Sequence, residues 1–258
     1  MFERHGALRA AAVISAMNEE RIIERVIAEV RRVKGLERLI AVVNGSADST
    51  SSLARKLGAE VLEYPERLGH DVGRSVGAAG TDADAVLFLD GDFVVPASDL
   101  EPFVEAVRRG VDLALNNLTP LYSERALDHS VNVGKRFLNL ACGRPSLGLS
   151  TLTAVPHALS RRAIELLGPE ALAVPPLAQA KAVLSGLVVR AVHPVDVISP
   201  NPLRPGLNTG HGEETVERMI LGDHLEALAY LLESLGPRGG LTDLGRKRGV
   251  ISEFGRER

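Results

Sequence analysis

The chain has 258 residues, 45% of them apolar and 24% charged, the balance of a globular protein with a full core. A net charge of −3, an aromatic content of 3% and no Trp exclude a broad electrostatic grip on nucleic acid and a base-stacking surface. The lone cysteine, Cys142, excludes an internal disulfide framework, and no apolar run reaches the ~18–20 residues of a membrane span.

The N-terminal MFERHGALRAAAVISAM has no separated charged head, apolar stretch and cleavage site, so it reads as a first core strand rather than a leader. A cytoplasmic protein is the expectation. Ala11–Ser15 is that strand. Asn18 is placed to cap a helix, with Glu19 and Glu20 in its first turn. Ile22, Ile23, Val26, Ile27, Val30 and Val33 recur at helical spacing up to Gly35. Leu39–Val43 predicts a second strand, and NGSADST (44–50) a turn with cap residues. A second helix carries Leu53, Ala54 and Leu57 and closes at Gly58. Glu60–Glu63 predicts a third strand, and the Gly-rich 68–80 becomes helical after Gly69. Ala85–Leu89 is the fourth strand, and Ser98 or Asp99 caps the next helix, with Leu100, Phe103, Val104 and Val107 inward. Val111–Leu115 is the fifth strand.

Strands and helices alternating in this way predict an α/β fold, a doubly wound and mostly parallel sheet flanked by helices. Ligands of such sheets bind beyond the carboxyl ends of the strands. The second half is less regular. Ser160 caps a helix to about Leu167, Pro175 and Pro176 open another to about Ser185, and Leu187–Ile198 is strand-like. PNPLRPGLNTGHG (200–212) is a loop, and Glu213–Leu235 a long helix. The division expected is a nucleotide-sugar half at 1–115, an acceptor half of the same domain at 116–235, and a mobile basic tail at 236–258.

DGD (90–92) directly follows the strand AVLFL. At a strand end, residues 90 and 92 project to the same side. Two adjacent carboxylates are costly unless a cation joins them, and Mg²⁺ typically takes one or two carboxylates plus phosphate oxygens. AMNEE (16–20) offers backbone amides and Glu20 to a nucleotide, or forms an ordinary helix start. Asn44 could read a base edge, while Asp48 and Ser49 build the turn. In LGHDVGRSVGAA (68–79), Gly69, Gly73 and Gly77 admit either a ligand or close helix packing, and His70 and Arg74 could face phosphate.

In this order and spacing, AMNEE, VVNGSADST, LGHDVGRSVGAA and LFLDGD resemble the GT-A glycosyltransferases of family 2 and their glucosyl-3-phosphoglycerate synthase relatives. The resemblance covers residues 10–115 well and 145–205 loosely. It implies the GT-A (nucleotide-diphospho-sugar transferase) fold. It implies that Ala16, Asn18 and Glu20 surround the nucleoside, with Asn44, Gly69, His70 and Arg74 also on the nucleotide. Asp90 and Gly91 would lie near the ribose, and Asp92, with Asp90, would hold Mg²⁺ or Mn²⁺ on the diphosphate. Three departures stand out. Val43 and Asn44 occupy positions where many relatives carry two Asp, and His70 stands where the synthases carry Lys. The metal-binding His of the synthases finds no counterpart in DVISPNPLRP (196–205), although His193 and His211 flank it.

A general base is also displaced, since Gln179 stands near its expected position and Glu165 and Glu170 lie on an ordinary helix face. Asp223 and His224 in GDHLEA could act as base or third metal ligand. Ser150, Thr151 and Thr153 in STLTAVPH could bind acceptor hydroxyls. Arg204, Arg246 and Arg248 could grip an acceptor phosphate. The expected activity is transfer of a sugar from a nucleoside diphosphate sugar, with UDP first in line, to a small and plausibly anionic acceptor. Asp92 and His224 are the catalytic candidates. No nucleic-acid partner or integral membrane segment is expected, and a homodimer is left open. The alternatives are a nucleotidyltransferase that makes the sugar nucleotide, and a degenerate, non-catalytic nucleotide-sugar binder.

Overall fold

The computed structural model describes residues 8–122, 129–197 and 212–254. Its seven strands are β1 (Ala10–Ala16), β2 (Leu36–Asn44), β3 (Glu60–Tyr64), β4 (Ala85–Asp90), β5 (Leu113–Asn116), β6 (His157–Ser160) and β7 (Val189–His193). They form one sheet in the order β3-β2-β1-β4-β6-β5-β7. β6 runs antiparallel to β4 and β5, and the other pairings are parallel. The expected mostly parallel, doubly wound sheet is therefore present.

Nine α-helices are described: α1 (Ile23–Val30), α2 (Thr50–Lys56), α3 (Val72–Ala79), α4 (Ala97–Arg108), α5 (Ser130–Ala141), α6 (Arg161–Leu172), α7 (Pro175–Leu184), α8 (Gly212–Leu235) and α9 (Gly249–Phe254). β1 explains why both faces need cover. Ala10, Ala12, Ile14 and Ala16 enter one apolar cluster with Ile23, Val26, Ile27 and Phe103 of α1 and α4. Ala11 and Val13 enter the opposite one with Ala78 of α3, Ile164 of α6 and Ala178 of α7. A strand buried on both faces reads as a continuous apolar run, as this one does.

α3 sits close on the sheet because it is built from small residues. A Cβ on Gly77 would lie 2.2 Å from Val13 Cγ1, and one on Gly73 2.8 Å from Ser15 Oγ. Those two glycines serve packing. Gly69 differs: its φ is +83° and nothing comes within 4 Å of a Cβ built there.

Several helix starts depart from expectation. α1 begins at Ile23 without a side-chain cap, because Asn18 is left-handed (φ 57°) and belongs to the preceding loop. α4 starts after Pro96, again without a side-chain cap. Asp99 instead meets His193 of β7, Oδ1 to Nε2 at 3.1 Å. Ser160 does cap α6, its Oγ accepting from the Ala163 amide at 3.1 Å. α5 and β6 were not expected from sequence, nor was α9 within the predicted mobile tail.

Candidate active site

The sheet order reverses at β1, whose neighbours are β2 on one side and β4 on the other. This is the switch point where α/β sheets open a crevice beyond the strand ends. AMNEE leaves β1 and DGD leaves β4 at that crevice. Ser15 pairs with Asp90 in the register, and the Gly91 amide donates to the Ser15 carbonyl at 2.8 Å. A Cβ on Gly91 would lie 2.9 Å from that of Ala16. Glycine at 91 thus lets the two strand ends close up, and Ala16 is buried in the seam.

The loops after β1 and β2 are laced together. The Asn18 amide donates to Ser46 Oγ at 3.0 Å, and Asn18 Oδ1 accepts from the Ala47 amide at 2.9 Å. The Glu20 amide donates to Asp48 Oδ2, and Glu20 Oε2 accepts from the Ser49 amide, both at 3.1 Å. Burial works against the Asp48 charge, yet hydrogen bonds from Thr50 and the Glu20 amide lower its pKa overall. Asn44 is buried, and its Oδ1 accepts from the Leu68 amide at 3.1 Å, tying β2 to the start of the Gly-rich segment. An open cleft of about 380 Å³ lies beside it, lined by Val43, Ser46, Glu63, Tyr64 and Pro65.

The Gly-rich segment holds an ion cluster that the sequence did not announce. Arg74 Nη2 donates to both oxygens of Asp90 at 2.8 and 2.9 Å, and Nη1 pairs with Asp71. Burial opposes the guanidinium charge, but Asp90 and Asp71 hold its pKa above the ordinary value. Asp71, the left-handed residue before α3 (φ 65°), has its pKa raised, first by burial and also by the Asp90 charge. Arg74 is therefore held between two carboxylates. Asp90 spends both oxygens on Arg74, and the Asp92 charge also acts on that guanidinium. His70 is exposed beside the open Gly69.

Beneath Arg74, His157 stacks on Phe88 with ring centroids 5.1 Å apart. Burial, then the nearby Arg74 charge, pushes its pKa down to about 3. It is a neutral core histidine, with Nδ1 2.9 Å from the Ala154 carbonyl.

The acceptor-half candidates lie inward. Ser150 and Thr151 are fully buried, Thr151 and Thr153 bond each other, and Ser150 Oγ has no partner among the described residues. Gln179 explains this loop's shape. Its Oε1 accepts from the Leu152 amide at 2.9 Å and its Nε2 donates to Asn139 Oδ1 at 2.7 Å. A neutral buttress occupies the place where a carboxylate was sought. Asp223 is half-buried, and its pKa is pushed up to about 6 by burial and by the charges of Asp71 and Glu226. α8 therefore borders the Arg74 cluster. His224 is 2% exposed and its ring lies against Gly134 of α5.

Arg246 and Arg248 both pair with Asp243, at 2.6 and 2.8 Å. Arg204 and His211 lie outside the described residues, and no group of three His, Cys, Asp or Glu side chains converges on a metal position among those described. Burial pushes the Cys142 thiol up to about 11, as for a packed small residue.

The crystal structure of glucosyl-3-phosphoglycerate synthase from Mycobacterium tuberculosis with Mn²⁺, UDP and glucosyl-3-phosphoglycerate superposes with a TM-score of 0.60 at 22% identity, covering 93% of this chain and 82% of that one. The same enzyme with Mn²⁺, UDP-glucose and phosphoglyceric acid gives 0.59 at 21% identity, with 93% and 82% covered. The fold is that of these GT-A glycosyltransferases. A dolichyl-phosphate hexose transferase of Haloferax volcanii is 32% identical over 103 residues, 40% of this chain and 45% of that one. An uncharacterized glycosyltransferase of Mycobacterium tuberculosis is 28% identical over 109 residues, 42% of this chain and 48% of that one. The chain spans under half the length of these curated relatives. The family profile described as Glycosyl transferase family 2 matches residues 11–151, more than half of the sequence, and the chain belongs to that family.

Proposed function

We propose that the chain transfers a sugar from a nucleoside diphosphate sugar, with UDP as the nucleotide, to a small anionic acceptor that carries a hydroxyl. The observation that carries this reading is the convergence of AMNEE, the 44–50 loop and DGD on the switch-point crevice between β1 and β4. The structural neighbours solved in complex with Mn²⁺ and with UDP or UDP-glucose and phosphoglyceric acid support the same chemistry. Residues 1–115 then serve the donor and 116–235 the acceptor.

The donor set suits a metal held mainly by the diphosphate. With Asp90 tied to Arg74, Asp92 is the carboxylate that would hold Mg²⁺ or Mn²⁺, and one protein carboxylate is within the ordinary habit of these ions. When bound, the metal would neutralise charge on the leaving diphosphate. Arg74 holds Asp90, and through it the DGD turn, in one orientation. Ala16, Asn18, Glu20, Asn44, Gly69 and His70 shape the nucleotide side of the crevice. His224 serves the acceptor side rather than the metal.

Thermal denaturation with nucleoside diphosphates, with and without Mn²⁺, tests the donor. A ligand at 100 times its Kd stabilises the folded state by about 2.7 kcal/mol. UDP with Mn²⁺ is expected to raise the Tm, and Asp92→Ala to remove both the metal-dependent part of the shift and the turnover. A nucleotide shift indifferent to Mn²⁺, or full activity in Asp92→Ala, would defeat the reading.

A further inference from the structure

A small cavity lies where the second half of the chain closes on the first. Phe88 and His157 are direct partners in the β4–β6 ladder, so their side chains share one sheet face. Their rings stack there, 5.1 Å between centroids. Arg74 and Ser75 of α3, Leu159 of β6 and Pro175 of α7 help to wall off about 20 Å³ beside them. One water needs about 10–15 Å³ of such space. The cavity therefore takes a single water-sized body and excludes a sugar or a phosphate.

The polar residues that line it are Arg74, Ser75 and His157, and each has a definite need. Arg74 gives its terminal nitrogens to Asp71 and Asp90, yet its Nε is buried and has no partner among the described residues. That N–H can only donate. His157 Nδ1 is 2.9 Å from the Ala154 carbonyl, which can only accept, so Nδ1 carries the proton of the neutral ring. Nε2 keeps a lone pair and can only accept. The Ser75 hydroxyl already donates to the Pro169 carbonyl at 2.5 Å, so it too is left to accept. His157 and Ser75 are each 4% exposed, and the rest of the wall is apolar.

We infer that the cavity is a built site for one water molecule, which accepts from Arg74 Nε–H and donates to His157 Nε2 and Ser75 Oγ, and that His157 is thereby a positioning residue for the DGD turn. Three hydrogen bonds are the usual complement of a buried water. A chloride would suit Nε–H but would meet the Nε2 lone pair, and a cation would meet the guanidinium. A molecule that both donates and accepts suits every wall. By holding Nε–H, the water fixes the plane of the guanidinium, and that plane aims Nη2 at both oxygens of Asp90. β6, from the second half, thus reaches the donor cluster through one bridge. The water site stands by itself, whereas the positioning role rests on the glycosyltransferase reading.

Full-length, isotope-labelled protein tests the site by nuclear magnetic resonance. The Arg74 Hε signal, assigned by its loss in Arg74→Lys, is expected to exchange slowly and to show cross-relaxation with a water proton. The His157 nitrogens are expected to report the Nδ1–H tautomer. A crystal structure is expected to show one oxygen within hydrogen-bond distance of Arg74 Nε and His157 Nε2. A dry cavity, an ion in the water's place or an Nε2–H tautomer overturns the site, and these measurements on the parent decide it whether or not any variant folds.

Two variants test the positioning role. His157→Asn keeps a donor for the Ala154 carbonyl, whereas the longer His157→Gln keeps an acceptor towards Arg74, and both lose the ring stacked on Phe88. The Mn²⁺ concentration that half-saturates the UDP-linked rise in Tm is expected to increase about tenfold in His157→Asn, the lower end for a contact that supports a metal site. In His157→Gln it is expected to stay near the parent's, although both variants melt lower without ligand. An unchanged Mn²⁺ midpoint in His157→Asn, or equal increases in both variants, overturns the positioning role. A parent without any UDP–Mn²⁺ shift would defeat the glycosyltransferase reading and leave the water site standing.

Discussion

Arg74 stands between Asp71 and Asp90, and its side chain is 13% exposed. Removing one partner of a buried pair leaves uncompensated charge, at a cost of about 3–5 kcal/mol. Arg74→Met is therefore expected to lose stability of that order in urea unfolding, and Arg74→Lys to recover only part, since one ammonium cannot bridge two carboxylates as a fork does. Loss under 1 kcal/mol in Arg74→Met would show that the cluster is solvated rather than structural. Asp223 supplies a pH signature. Its pKa rises from 3.8 to about 6 on folding, so the folded state binds this proton more tightly than the unfolded one. The charged side chain then weakens the fold above pH 6, and the penalty fades as pH falls through 6 towards 3.8. Asp223→Asn is expected to raise the Tm at pH 8 and to match the parent near pH 3.5. These values belong to tertiary neighbours. Nothing in the local sequence pattern marks the Asp71 side chain, 11% exposed, or Lys135, 7% exposed, as withdrawn from solvent.

Among the elements, α3 shows what small residues do. Gly77 carries no special φ, yet a methyl there would meet Val13 at 2.2 Å. Gly77→Ala is expected to cost about 1–3 kcal/mol through overpacking. A gain in stability instead would mean that α3 can lift from β1 freely. Ser160→Ala should cost about 1 kcal/mol by removing the α6 cap. The strands β1 to β5 and helices α1 to α4, α6, α7 and α8 were legible because each carries an apolar period of two or three to four between Gly, Pro or cap residues. α5 escaped because its buried face holds Asn132, Lys135 and Asn139. β6 escaped because its four residues sit between a loop and a helix, too short a run for any period to register.

Across the whole molecule, the two halves share one sheet. β6, from the second half, pairs with β4 and β5 of the first. Residues 1–115 alone would leave β4 with an unpaired edge at its most apolar stretch, an invitation to self-association. A fragment ending at residue 115 is expected to aggregate or remain molten, whereas residues 8–254 should unfold in one transition. A monomeric, cooperatively melting 1–115 fragment would make the donor half a domain in its own right. Among the described residues no helix is long and apolar enough to cross a membrane.

The sequence by itself determined the alternation of strands and helices, the sheet class, and the meeting of AMNEE, 44–50 and DGD at strand ends, because periodicity and turn chemistry are local. Only the tertiary structure decided what those residues face. Asp90 lies against an arginine sixteen positions earlier, Gly73 and Gly77 pack on β1, and Gln179 braces the 148–152 loop. The same holds for Arg74 and His157, which lie 83 positions apart on α3 and β6 and line one cavity. Charge pairing and burial act through space over a few ångströms, and chain order does not record which residues that distance encloses.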